Sequence, residues 1–157
     1  MRFTRHALLA AALIGANAFF FAAPAAAADK ACKLEISGND LMQFDKKELK
    51  AQADCTSVEV TLKHSGKLPA ASMGHNWVLV KTADLNAVAN DGLGAGLAAN
   101  YVKAGDKRAI AHTKVVGGGQ SDTVKIPASA LKKGEDYSFV CTFPGHSALM
   151  KGKFTFG

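Results

Sequence analysis

Three side chains able to bind a soft metal lie close together near the C-terminus. Cys141, His146 and Met150 occupy the segment Cys141-Thr142-Phe143-Pro144-Gly145-His146-Ser147-Ala148-Leu149-Met150, with four residues between the thiol and the imidazole and three between the imidazole and the thioether. Singly, each has an ordinary structural explanation: a buried thiol, a surface histidine, a core methionine. Together they form a donor set that suits copper far better than magnesium or calcium, because thiolate, imidazole and thioether are soft or borderline ligands. Two His, one Cys and a distant Met are the ligands of blue-copper electron-transfer sites. The loop supplies one His, so the second must come from elsewhere. His75, in Gly74-His75-Asn76, is the candidate: it precedes the apolar run Trp77-Val78-Leu79-Val80.

These ligands need strand ends to hold them. Before the loop, Tyr137, Phe139 and Cys141 share one face by the period-two rule; after it, Met150, Phe154 and Phe156 share a face and Lys151 and Lys153 the other. Pro144-Gly145 supplies the turn between them. Val58, Val60, Leu62 and His64 predict the inner face of another strand, so His64 reads as a core or supporting histidine rather than a ligand. Trp77–Val80 is apolar on both faces, as a central strand would be. Lys33–Ser37 and Asp122–Pro127 alternate as further strands. Lys107–His112 and Val115-Val116 lead to the turn Gly117-Gly118-Gly119. Ala128–Lys133 reads as a single polar turn. Thr82 to about Leu97 breaks the strand pattern. There Asp84 is placed to cap a helix carrying Leu85, Val88 and Ala89 at helical spacing, and Gly92, Gly94 and Gly96 loosen its end. Many short strands separated by turn signals argue an all-β sandwich with one short inserted helix.

The copper loop resembles that of the azurins, small bacterial blue-copper proteins of the cupredoxin family, and its spacing differs from that of plastocyanins and pseudoazurins. Gly74-His75-Asn76-Trp77 resembles the azurin segment that carries the other His, and the similarity runs from about Ala31 to Gly157. The resemblance implies a Greek-key cupredoxin sandwich of about eight strands. It implies that His75, Cys141 and His146 bind one copper ion, with Met150 and the carbonyl of Gly74 at longer range. It implies that Asn76, Thr142 and Phe143 support these ligands, Asn76 by tying the two loops together. It also implies an apolar docking patch of Met42, Leu68, Met73, Leu93, Pro144, Gly145, Ala148 and Leu149. His146 is expected to reach the surface there, while His75 is expected to be buried.

Residues 1–28 read as a secretory signal peptide: Arg2 and Arg5 at the start, an apolar stretch from Ala7 to Phe21, then small residues fitting an A-x-A cleavage site. Residues 29–157 then form one cupredoxin domain, exported to the periplasm. Losing Arg2 and Arg5 takes the net charge from +6 to +4. The lysines are scattered, which argues against nucleic acid. An exported chain permits disulfides. With Cys141 given to the metal, Cys32 and Cys55 remain as a pair, and azurins carry a disulfide at the matching positions.

No substrate chemistry is visible. The expected function is a blue-copper carrier, not an enzyme, passing single electrons between transiently docked redox proteins such as c-type cytochromes or periplasmic reductases and dehydrogenases. It is expected to be a monomer without stable membrane association. A copper enzyme would need a second metal site or an open position, yet the histidines beyond the two ligands are the internal His64 and the isolated His112 in the mature chain. His112 reads as a surface residue. A copper store would show Met or Cys clusters, and a metal-free adhesion sandwich would leave Cys141 unexplained.

Overall fold

The computed structural model describes residues 29–157, so the signal-peptide reading of residues 1–28 lies outside the described residues. The fold is organised by strand β4, Ser57–His64, in which Val58, Val60, Leu62 and His64 are all buried, as their alternation requires. Strand β1 (Ala31–Asn39) pairs with it in parallel and β7 (Ser121–Pro127) antiparallel. The two-residue strand β2 (Gln43–Phe44) edges β1 and completes a sheet ordered β2-β1-β4-β7.

The second sheet runs β3-β9-β8-β5-β6. It comprises β3 (Glu48–Ala51), β9 (Lys151–Phe156), β8 (Tyr137–Val140), β5 (Val78–Lys81) and β6 (Ala111–His112). Its inner face contributes Leu79, Phe139 and Phe154, joined by Trp77 at the mouth of β5, and meets Ile36, Val58, Val60 and Leu62 of the first sheet. The rings interlock: Phe44 and Phe139 meet edge to face at 5.7 Å, and Trp77 and Phe154 at 6.2 Å. Full burial of each such side chain contributes roughly 1.5–3 kcal/mol.

The outer face of β5 and β8 is also apolar, because a helix covers it. Val78, Val80 and Val140 pack with Leu85 and Val88 of α2 (Leu85–Ala95) and with Val102 in a second cluster. This is why Trp77–Val80 is apolar on both faces. The helix sits where the sequence places it, but two details differ. Asp84 is already helical and makes no capping hydrogen bond with its side chain. Gly92 and Gly94 lie inside the helix rather than ending it; a Cβ on Gly92 would run into the carbonyl of Tyr101, so the glycine permits the helix to lie close to that loop. Gly96, at φ +73°, terminates it.

Other departures are short elements. β3 forms in the polar, lysine-rich stretch between Phe44 and Asp54, which carries no clear strand signal in the sequence; Leu49 and Ala51 face inward, and it pairs in parallel with β9. Ala70–Met73 makes a single helical turn, α1, ahead of His75. Of the segment 107–116 only Ala111–His112 joins the sheet, while Val116 bridges to His75. His112 is exposed, as expected. The described strands number nine, two of them only two residues long, in agreement with the expected sandwich. Cys32 and Cys55 form a disulfide with Cα atoms 5.7 Å apart. It lies near the start of β1, whereas Asn39 at the other end of that strand belongs to the site.

Candidate metal centre

The end of β8 and the start of β9 hold the loop 141–150 tightly. The Cys141 N–H donates to the Met150 carbonyl (2.9 Å), and Met150 N–H and Leu149 N–H both donate to the carbonyl of His146 (2.8 and 3.0 Å). Gly145 takes φ +81°, a conformation that costs little only for glycine. The second loop is fixed by a reciprocal backbone pair: His75 N–H to Val116 O (3.0 Å) and Val116 N–H to His75 O (2.8 Å).

Together these loops bring His75, Cys141 and His146 into one buried cluster with ligand atoms within 4.8 Å of one another. His146 Nδ1 lies 3.2 Å from His75 Nδ1 and 3.6 Å from Cys141 Sγ. The Nε2 of His75 is 2.8 Å from the carbonyl oxygen of Asn39. A carbonyl only accepts, so Nε2 carries the proton and Nδ1 presents a lone pair to the cluster.

Burial governs the charge state. It pushes the Cys141 thiol up to about 12, against the opposing pull of the backbone N–H groups of Asn76 and Phe143. Burial, then the neighbouring His75, brings His146 down to about 4. His75 is also lowered by burial, with the Asn39 bond opposing. The site therefore offers two neutral imidazoles and a thiol whose proton a metal must displace. A small set of soft donors converging in a water-poor pocket fits copper.

The remaining expected site residues take these places. Met150 is fully buried; its methyl end lies beside His75, since a Cβ on Gly38 would come within 3.2 Å of Met150 Cε and 2.6 Å of His75 Cδ2. Gly74 is buried, and a Cβ there would strike the Ala70 carbonyl and Val115, so glycine is required. Asn76 ties the loops together. Its Nδ2 donates to Thr142 Oγ1 and to the Asn100 carbonyl (both 2.7 Å), its Oδ1 accepts from the Thr142 N–H (2.8 Å), and Thr142 Oγ1 donates to Tyr101 O (2.8 Å). Phe143 packs on the His146 ring at 4.6 Å. His64 is internal and stacks on His75 at 4.4 Å, nearly parallel. Its Nδ1 accepts from Gly66 N–H (3.0 Å) and its Nε2 donates to Met73 O (2.8 Å), which fixes its neutral tautomer.

Leu68, Leu93, Pro144, Gly145, Ala148 and Leu149 are exposed, and Met42 and Met73 half-buried. Leu41, 70% exposed, is a further apolar side chain next to Met42 that the sequence reading did not include. His146 differs from expectation: it is only 2% exposed, because Phe143 packs on it and the loop curls around it. Its Nε2 has no hydrogen-bond partner among the described residues, and it is not one of the sealed, unpartnered polar atoms, which are Ser57 Oγ and Trp77 Nε1. The sequence reading also missed Gly38 and the carbonyls of Asn39, Asn100 and Tyr101. Their roles depend on backbone position, which residue type does not encode.

Residues 30–157 match the family described as copper binding proteins, plastocyanin/azurin family. The chain is 56% identical over 132 residues to an azurin of Bordetella pertussis, covering 84% of this chain and 87% of that protein. It is 57% identical over 121 residues to azurin-1 of Alcaligenes xylosoxydans xylosoxydans, covering 77% and 94%. A solved structure of the azurin Az-iso2 from Methylomonas sp. strain J superposes with a TM-score of 0.78 at 40% identity, covering 80% of this chain and 98% of that one. The chain is a member of the plastocyanin/azurin family of copper-binding proteins.

Proposed function

We propose that His75, Cys141 and His146 hold one copper ion, with Met150 and the Gly74 carbonyl as weaker contacts, and that the protein is a periplasmic carrier of single electrons rather than an enzyme. The convergence of two imidazole Nδ1 atoms and the Cys141 sulfur in one buried pocket carries this reading. Bound copper supplies the one-electron couple. The chain's own residues do the rest. Asn39 orients His75 through Nε2. Asn76 and Thr142 lock the two loops. Phe143 and the surrounding core exclude water, and this packed shell leaves the donors little freedom to rearrange.

Electrons pass through the apolar surface around His146, where Leu149, Leu68 and Leu93 form a patch suited to brief docking. Redox proteins such as c-type cytochromes or periplasmic reductases and dehydrogenases are the partners, met by a monomer. Residues 1–28 direct export and are removed, leaving 29–157 as the working domain. Among the described residues no helix is long and apolar enough to cross a membrane.

The test is reconstitution with copper(II). The protein should turn intensely blue through charge transfer from Cys141 sulfur, and Cys141→Ser should abolish the band while His112→Ala keeps it. A band unchanged in Cys141→Ser would refute the ligand assignment. N-terminal sequencing of periplasmic protein should find a start within residues 23–30.

A further inference from the structure

Most acidic side chains of the domain are already answered by a cation or a backbone N–H. Glu35 pairs with Lys63, Glu48 with Lys50, Asp54 with Lys30, Glu135 with Lys81, and Asp91 and Asp106 with Arg108. The excess positive charge therefore resides in particular lysines, and two of these border the copper loop. Lys47 is exposed and its Nζ donates to the carbonyl of Leu149 (3.0 Å), which fixes an ammonium against the apolar patch. Lys151 is exposed, directly follows Met150 and is in register with Val140, the residue before Cys141. Neither has a carboxylate within ion-pairing distance among the described residues, whereas Glu48, the nearest carboxylate along β3, is held by Lys50 at 3.4 Å.

We propose that Lys47 and Lys151 form a cationic flank on the docking surface, selecting a redox partner with carboxylates beside its own electron-transfer site. This rests on the reading that electrons leave near His146. The apolar patch provides contact without direction; a fixed charge at its edge orients the encounter and raises its rate, and salt screens it. Two positive charges with no carboxylate partner among the described residues also lose little by meeting an acidic surface, because no existing ion pair has to break.

The experiment compares Lys47→Glu/Lys151→Glu with Lys33→Glu/Lys132→Glu. The second pair makes the same change in net charge at exposed lysines remote from the copper loop. The copper(I)-loaded proteins are titrated with redox-inert hexacyanocobaltate(III) while backbone amide shifts are followed. They are also oxidised by hexacyanoferrate(III), which takes up the one electron lost, and by the cationic tris(phenanthroline)cobalt(III). In the native protein, the shifts should centre on Lys47, Leu149 and Lys151. At low salt the first variant should lose these shifts and react about 10-fold more slowly with the anion and faster with the cation. The remote pair should change either rate less than about 2-fold, and all differences should shrink near 1 M salt, where the Debye length is about 3 Å. Lys151→Glu alone, which leaves the Lys47–Leu149 bond intact, should show the same direction. Equal effects of the two pairs, or shifts scattered over the surface, would overturn the proposal. The exit itself is checked with Leu149→Asn: if this leaves both oxidation rates unchanged, the exit near His146 fails, whatever the lysine variants do.

Discussion

Gly38→Ala adds one methyl group at the place where the metal centre has least room. Gly38 lies in β1 opposite His64, and its φ is not in the left-handed region, so alanine meets no backbone objection. The effect is purely one of space. The new Cβ would lie 2.6 Å from His75 Cδ2 and 3.2 Å from both His75 Cγ and Met150 Cε. Carbon contacts relax near 3.5–4.0 Å, so the imidazole would have to move by about 1 Å. It has no free direction in which to go: His64 stacks on it at 4.4 Å, Asn39 O holds Nε2 at 2.8 Å, and His146 lies across the pocket. Overpacking of this kind costs roughly 1–3 kcal/mol, and loss of the Asn39 bond adds about 1 kcal/mol. Urea unfolding of metal-free protein should therefore show a loss of about 2–4 kcal/mol, and the copper(II) form should have a shifted, weaker visible band. Gly94→Ala is the control. It sits in α2 with nothing within 4 Å of the added carbon, and should be neutral or stabilising by up to ~1 kcal/mol. If Gly38→Ala is within ~0.5 kcal/mol of wild type with an unchanged spectrum, the packing argument for this glycine is wrong.

Asn76→Ala should cost about 2–4 kcal/mol in urea unfolding, since it strands the buried Thr142 N–H and frees both loops, and it should speed copper loss to a chelator. The metal-free protein should weaken in acid. The unfolded state binds a proton at His146 near pH 6.5 and the folded state only near 4, so stability falls as pH drops through that window, by up to about 3 kcal/mol. His146→Asn should remove close to one proton's worth of that slope when unfolding is measured from pH 7 to 4. Replacing both Cys32 and Cys55 by Ala should cost about 3 kcal/mol by calorimetry or urea, yet leave the blue band in place, because the disulfide lies near the start of β1 and away from the loops.

How much of this could be read in the sequence depended on how local each feature is. Cys141, His146 and Met150 sit within one loop between two strands, so spacing alone placed them together. His75 followed because it opens an apolar strand. The Asn39 carbonyl, which fixes the His75 tautomer, could not be read, since every residue has a carbonyl and only the β1–β4 register brings this one to the ring. β3 escaped notice because four residues with two inward positions give too short a period in a lysine-rich stretch. Asp84 looked like a cap, but the chain is already helical there, so its carboxylate does not reach the free N–H groups. The burial of His146 has a different origin: a loop of small and apolar residues suggests a surface position, while Phe143, three residues earlier, folds back over the ring.

The donors are positioned by hydrogen bonds that come from several elements of the fold. His75 is fixed through its backbone to Val116 and through Nε2 to Asn39; Cys141 is fixed by its N–H to Met150, and Thr142 by Asn76. The anchors come from β1, from the bridge segment at Val116, from the start of β5 and from the β8–β9 loop, which belong to both sheets. Moving one donor therefore strains contacts in a neighbouring element, and the sandwich as a whole resists the movement. That resistance is what a one-electron carrier needs, because a ligand shell that shifts little between two charge states presents a small barrier to transfer. It also explains why positions 38 and 74 are glycine. Each removes a side chain so that a neighbouring strand or loop can press against the donors, and each makes the frame around them closer and stiffer.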